Sequence, residues 1–473
     1  MKRISFLLLL SVVVLQLQAQ HQELTEKPLL WKLKQQSSGD TNSLLDAFRR
    51  GQMHGHFRYF FMRTGNREGL TDYHANAIGG GIKFETASFK GFHLGVSGFF
   101  VFNIGSSDLA KPDAKTGAAN RYEIGLFDIE DPSNKKDIDR LEELYLKYAW
   151  KNSSVVFGKQ LINTPFINLQ DGRMRPTEAG GLYADINATK KLRIEAGYLY
   201  ELSPRSTVKW YKADESIGVY PQGVNSSGAK STYAGNLESK GVFIAGLTWK
   251  TSDHLLLKVH DLFAENIFNS LLLQADYRYP LADSSRLVAG LQFIHQTAVN
   301  NGGNADPAKT YFGRGSQSNT ISAMLGWESN HWHSSINYTR ITADGRYLMP
   351  REWGREPFFT FLPRERNEGL GDVHAYVAKL GYDWLKARVK LSAAFGYYDL
   401  PAVTNYRLNK YGMPSYTQFN TDIRYRFAGF LRGLEAQLLY VYKGRSGSNF
   451  GNDRYVINKT EMGQWNVLLN FHF

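Results

Sequence analysis

Basic side chains near the C-terminal end of the chain recur at a spacing that could do chemistry. Lys386, Arg388 and Lys390 stand two residues apart, Arg424 and Arg426 follow, and Lys443 comes later. In an extended chain residues two apart share a face, so these six side chains form a candidate basic ladder. A second set, Asp171-Gly172-Arg173-Met174-Arg175-Pro176, lies in a polar stretch without strand periodicity. Guanidinium groups stay charged at any working pH and meet carboxylate or phosphate with paired hydrogen bonds. The chemistry on offer is recognition of anions. Two Arg stiffened by a Pro suit a narrowed throat. Each set also has a plainer reading. Cross-strand pairing with Asp383, Asp422 and Glu435 would contribute about 0.2–1 kcal/mol per pair. The Arg173 stretch would also serve as a solvated surface loop with structural ion pairs.

Bond-making chemistry has a weaker footing. His333 and Ser335 share a strand face, with Asn337 beyond, but a nucleophile, a base and an orienter must meet in space. His331 and His333 supply two metal ligands and no third is evident. Gly79-Gly80-Gly81 is not a phosphate loop, since no helix follows it; the triplet reads as room for close neighbours in a strand. The chain has no Cys, which removes disulfides and thiolate metal sites. No metal or cofactor is expected.

The elements that must position these residues are strands. The last stretch, Glu461–Phe473, places Trp465, Val467, Leu469, Phe471 and Phe473 on one face and Gln464, Asn466, Asn470 and His472 on the other, with Leu468 the exception. The same alternation recurs in eighteen segments from His54–Thr64 to Thr460–Phe473. Arg193, Glu195 and Glu201 oppose Ile194, Ala196, Tyr198 and Tyr200, and Gln274, Asp276 and Arg278 oppose Leu271, Leu273, Ala275, Tyr277 and Tyr279. Most segments reach the roughly 9–11 residues that a tilted strand needs to cross a bilayer. Their connections sort by parity. Every second one is tight, as at Lys151–Asn152, Lys190, Asn330 and Leu385. The others are mostly long, as at Ile104–Ile138, Leu161–Ala179, Ser203–Lys240 and Asp344–Leu370. Glu265–Asn266 breaks the rule. Short turns on one side and long loops on the other mark a membrane β-barrel. If the charged faces met lipid, each Arg or Lys at the midplane would cost about 2–4 kcal/mol. They therefore face inward, around a water-filled lumen.

Composition agrees. The chain has 473 residues, 14% aromatic and 21% charged, with a mean hydropathy of −0.38. Beyond the N-terminus no apolar run reaches the roughly 18 residues of a membrane helix. Residues 1–19, with Lys2 and Arg3 before an apolar run and Ala19 at its end, read as a secretory signal peptide. Residues 20–53 read as a periplasmic lead-in, with one short amphipathic helix over Asn42–Arg50 and Gly51 after it. Residues 54–473 form the barrel. The net charge of +12 in an exported chain points away from nucleic acid and toward a basic interior that draws anions.

The spacing Gly158-x-Gln160, then Pro165, then Asp171-x-Arg173-x-x-Pro176 resembles the OprD-type outer-membrane porins. Gly55-His56-Phe57-Arg58-Tyr59-Phe60-Phe61 and Gly79-Gly80-Gly81-Ile82-Lys83-Phe84 are similar to that family's first hairpin. The resemblance covers about His54 to Phe473 and is strongest through Pro204; Arg175 is extra to the pattern. It implies an all-β fold: a transmembrane antiparallel up-and-down β-barrel of about 18 strands, an inward-folded third extracellular loop, and a row of Arg and Lys down one wall. The expectation is a monomeric or weakly trimeric porin in the outer membrane of a Gram-negative bacterium, in contact with outer-membrane lipid. It would pass small hydrophilic, anionic or carboxylate-bearing solutes. The alternatives are a non-conducting surface or adhesion protein, whose aromatic loops around Trp353, Phe358, Phe359 and Phe361 would dock a partner, and an outer-membrane phospholipase using His333 and Ser335.

Overall fold

The computed structural model describes residues 40–136, 138–169, 173–281 and 284–473. The expected signal peptide, the first part of the lead-in and Asp171 lie outside them. A short helix, α1 (Leu44–Arg49), opens the described chain. Ser43 caps it, its hydroxyl accepting from the Asp46 N–H at 3.1 Å, because a helix N-terminus leaves its first N–H groups without partners.

The rest is a single closed sheet. In chain order its strands are β1 (Gln52–Gly65), β2 (Tyr73–Glu85), β3 (Phe92–Asn103), β4 (Ile138–Trp150), β5 (Ser153–Gln160), β6 (Glu178–Asn187) and β7 (Leu192–Ser203). A two-residue strand, β8 (Tyr211–Lys212), only edges the outer end of β7. Then come β9 (Val242–Lys250), β10 (Leu255–Ala264), β11 (Phe268–Pro280), β12 (Arg286–Ala298), β13 (Gln317–Glu328), β14 (Trp332–Ile341), β15 (Val373–Trp384), β16 (Val389–Asp399), β17 (Tyr416–Arg426), β18 (Leu434–Arg445) and β19 (Met462–His472). Each long strand pairs antiparallel with its neighbours, and β7 pairs with β9 directly. Closure is made by β1 on β19, from His56 opposite His472 to Gly65 opposite Gly463. Eighteen strands therefore span the wall.

Alternation decides which way each side chain points. Phe57, Ile82, Phe100, Leu144, Phe157, Leu291, Ile336, Phe395 and Trp465 lie on the exposed exterior, while Lys83, Glu143, Gln292, Ser322, Asn420 and Asn466 are buried inside. An apolar exterior and polar interior suit a barrel whose outside meets hydrocarbon. Gly79 and Gly80 mark close approaches: a Cβ on Gly80 would stand 2.8 Å from the Phe57 ring, and one on Gly79 2.6 Å from the Phe100 carbonyl oxygen.

The lumen is not simply water-filled along its length. The long connections all lie at one end, and their apolar residues join inward wall residues in a core. Ile162, Phe166 and Ile167, with Ile217, Tyr233, Phe312, Trp353 and Phe358, pack against Leu272, Ile294, Val373 and Tyr398. Tyr122, Ile124, Leu126 and Phe127 pack on Phe60, Met62 and Tyr73 on the other side.

Candidate functional site: a basic vestibule above a loop that crosses the lumen

The seventh outer loop, 342–372, builds the site. A loop inside a barrel has no ladder of its own, so its buried carbonyls and N–H groups need side-chain partners. The wall supplies them. Gln296 of β12 donates to the Leu348 carbonyl and accepts from its N–H, both at 2.9 Å, and Gln292 donates to Pro357 at 3.1 Å. Ser322 of β13 accepts from the Phe359 N–H at 3.1 Å, and Thr339 of β14 meets the Thr360 hydroxyl at 2.8 Å. Lys379 of β15 donates to the Phe361 carbonyl at 3.0 Å, Tyr398 of β16 to Thr360 at 3.1 Å, and Gln418 of β17 to Pro363 at 2.8 Å. Lys443 of β18 donates to the Arg364 carbonyl at 2.6 Å. The Arg364 guanidinium donates onward to Gln464 and Asn466 of β19 at 2.6 and 2.7 Å. The loop thus lies against the inside of the wall from β12 to β19.

The third outer loop, between β5 and β6, is clipped to it. Asn168 donates its backbone N–H to the Trp353 carbonyl at 3.1 Å and its amide to the Arg355 carbonyl at 2.9 Å. Thr177 donates to the Glu352 carbonyl at 2.7 Å. Gly354, at φ +150°, allows this approach, since a Cβ there would stand 2.6 Å from Asn168 Oδ1.

Above the crossing loop is a cavity of about 980 Å³. Among the described residues lining it are Arg121, Arg173, Arg205, Lys230, Arg351, Arg364, Arg366, Lys410, Arg454 and Lys459, against one carboxylate, Glu365. Burial pushes the Glu365 carboxyl well above its ordinary range, with Glu356 adding to the shift. Cations thus outnumber carboxylates among the described lining residues. Burial also acts on the cations. It brings the Lys410 ammonium down to about 8 despite Glu368 at 3.6 Å. It brings Lys459 down to about 7, with Arg121 and Arg454 reinforcing the shift. Lys459 donates to the carbonyls of Tyr411 at 2.8 Å and Arg454 at 2.9 Å.

Below the loop is a smaller cavity of about 150 Å³, lined by His333, Ser335, Lys379, Asp383, Lys390, Asp422 and Arg424 among others. Phe361 lines both spaces. The Arg355 guanidinium carbon lies 4.0 Å from the Phe361 ring centroid, within cation–π range.

The expected site residues divide. Arg173 lines the vestibule, in a left-handed backbone at φ +49°. Arg175 does not: it is buried, donates to the Thr207 carbonyl at 2.9 Å, and is brought down to about 9 by burial and by Arg140. Pro176 accepts from Arg140 at 2.9 Å. The ladder is shorter than the spacing implied. Lys386 and Arg388 are not on a strand. Lys386 sits in the tight turn Leu385–Ala387, Arg388 is left-handed at φ +57°, and both are exposed. The strand begins at Val389, so only Lys390 of that trio faces inward.

The surviving rungs are paired. Lys390 lies 3.9 Å from Asp383, Arg424 3.2 Å from Asp422, and Arg426 2.9 Å from Glu435. Lys443 holds the crossing loop. Sequence reasoning missed Arg351, Arg364, Arg366, Lys410 and Lys459. A signal was present for the loop: Arg351-Glu352, Arg355-Glu356 and Arg364-Glu365-Arg366 repeat an acid–base doublet between aromatic residues.

His333 faces Asp383 at 3.7 Å, and Asn337 donates to Ser335 at 3.0 Å. His333, Ser335 and Asn337 lie on the inner face, away from lipid.

A closed antiparallel barrel with an apolar exterior, and with a charged vestibule held inside it by its own loops, is an outer-membrane channel protein by architecture. The chain belongs to the OprD family of outer membrane porins, whose family model matches residues 50–360. No curated protein sequence matches it. Solved structures share the fold at low identity. OccAB2 of Acinetobacter baumannii superposes with a TM-score of 0.70 at 12% identity, covering 90% of this chain and 99% of that one. OpdK of Pseudomonas aeruginosa, solved with vanillate, gives 0.67 at 14% identity, over 90% and 99%. OccD3 of the same organism gives 0.66 at 13%, over 89% and 91%.

Proposed function

We propose that this porin carries small hydrophilic solutes passively and prefers anions, carboxylates above all. The observation that carries the reading is the lining of the vestibule, among the described residues ten cations to one carboxylate that burial favours in its neutral form. Rings of Arg and Lys favour anions. Desolvated guanidinium groups offer carboxylates paired hydrogen bonds. A relative of the same fold, OpdK, was solved with vanillate, an aromatic carboxylate. Arg173 on the third loop and Arg355 and Phe361 on the seventh form the throat. Lys390 and Arg424 continue the path below it, their partners Asp383 and Asp422 shaping the field rather than cancelling it.

One observation favours the non-conducting alternative: the crossing loop is bonded to eight wall strands and separates two cavities. Planar-bilayer recording decides. Steps of open current with a reversal potential displaced toward the anion equilibrium potential support the channel. A silent bilayer from correctly folded protein supports the surface protein, and a cation-selective current overturns the preference for anions.

A further inference from the structure

Helix α1 packs against the exterior of the barrel. The Ala87 N–H donates to the Ala47 carbonyl at 3.0 Å. The Thr41 N–H and hydroxyl donate to the Ser88 carbonyl at 2.8 and 2.9 Å. The helix is thus tied to the tight turn between β2 and β3, at the rim opposite the long loops. Its Phe48 ring stacks on Phe84, with centroids 6.2 Å apart and planes at 20°. Phe84 alternates with the buried Lys83 and Glu85, so it belongs to the exterior of the wall. Gly51 makes this packing possible, because a Cβ there would meet the Phe84 ring at 2.4 Å.

What remains uncovered is apolar. Leu44 and Leu45 are each 61% exposed and Phe48 43%, with Met53 just after the helix at 63%. Six residues are too few to hold a helix in water on propensity alone, and so large an apolar share on so short a surface element marks a contact face. The face is continuous with the exterior that meets hydrocarbon: Phe57, Ile82 and Phe473 are exposed nearby, and Phe57 stacks on Phe473 at 5.8 Å. The last turn carries Arg49 and Arg50, both exposed, and Lys90 stands in the turn to which the helix is tied. Arg50 makes a loose, exposed contact with Asp46 at 3.5 Å.

We propose that α1 is an interfacial helix. Leu44, Leu45 and Phe48 enter the acyl boundary of the periplasmic leaflet, and Arg49 and Arg50 lie among the phosphates of anionic phospholipid. An amphipathic helix at a bilayer edge gains from both burial and charge, and long Arg stems reach the headgroups while their bases stay apolar. The proposal is independent of which solute the channel passes.

The absence of Cys from the chain gives a direct test. The full-length protein with a single Leu44→Cys, Leu45→Cys or Phe48→Cys change is labelled with a nitroxide. It is then reconstituted in vesicles of phosphatidylethanolamine and phosphatidylglycerol. Ile82→Cys reports the lipid face and Ser227→Cys, in the fourth outer loop, reports water. Labels at 44, 45 and 48 are expected to collide with oxygen more than with a nickel chelate, as at Ile82. Accessibility like that at Ser227 overturns the proposal. Dipolar broadening between labels of two chains also overturns it, since a second copy would then cover the face.

A second variant carries Leu44→Asp, Leu45→Asp and Phe48→Asp, with barrel formation checked by heat-modifiable migration. Trypsin is expected to cut after Arg49 and Arg50 about tenfold faster than in the parent protein in the same vesicles, because the segment opens locally. Equal rates overturn the proposal.

Discussion

The side-chain amide of Asn168 brackets the backbone of Arg355: its Nδ2 donates to the Arg355 carbonyl at 2.9 Å, and its Oδ1 accepts from the Arg355 N–H at 3.2 Å. Asn168 is buried, so no solvent competes. One residue of the third loop thereby fixes the residue of the seventh whose guanidinium covers Phe361.

Asn168→Leu keeps the bulk and removes both bonds. Two buried backbone groups then each lose a hydrogen bond, at up to about 1–3 kcal/mol each. The barrel, closed by its own ladder, should still form. The crossing loop should loosen, and single-channel current should become larger and noisier. An unchanged current trace would show that the clip does not hold the throat.

Phe361→Ala removes a ring that lines both cavities. Open conductance should rise by about twofold or more while the preference for anions persists, since the cations that set it remain. A rise with loss of selectivity would place the filter at the ring itself; no rise would place the narrowing elsewhere.

Arg173 and Arg175 should separate cleanly. Arg173→Ala takes a charge from the vestibule lining and should shift the reversal potential toward zero in a salt gradient. Arg175→Ala leaves the Thr207 carbonyl without its donor. It should lower the temperature at which the outer loops become protease-sensitive, with little effect on selectivity. Equal selectivity losses in both variants would contradict the placement of Arg175.

Acidity should tune the field. Lys410, brought down to about 8, and Lys459, brought down to about 7, are charged below those values and neutral above them. Raising pH from 6 to 9 therefore removes positive charge, and anion preference should fall with a midpoint between those values. Lys410→Arg with Lys459→Arg holds the charge throughout and should flatten the profile. A profile unchanged by the double substitution would assign the titration to other groups.

Leu469→Arg, on the exterior of β19, should impair assembly. A charge facing hydrocarbon there costs up to about 2–4 kcal/mol, depending on depth. The folded fraction on an unheated gel measures it, and equal yield would reverse the assignment of faces.

The wall was legible because its two environments differ at every step of the chain. The fifth segment, Ser153–Gln160, has the boundaries expected of it, and the parity of turns and loops carried the closed topology. The ladder on β16 was over-read. Lys386 and Arg388 keep the two-residue spacing, but a left-handed residue at a turn has no strand face, and nothing in the residue types announced that conformation. The crossing loop was illegible for a different reason. Gln292, Gln296, Ser322, Thr339 and Gln418 look the same whether water or a loop backbone satisfies them. Period-two patterning distinguishes inside from outside, and says nothing about what fills the inside.

The pairing of β1 with β19 joins residues about four hundred positions apart. The first strand is therefore made long before its permanent neighbour exists. During export its edge must be shielded from every other sticky edge in the compartment, because a zipper that meets its own end last can fasten to a stranger first.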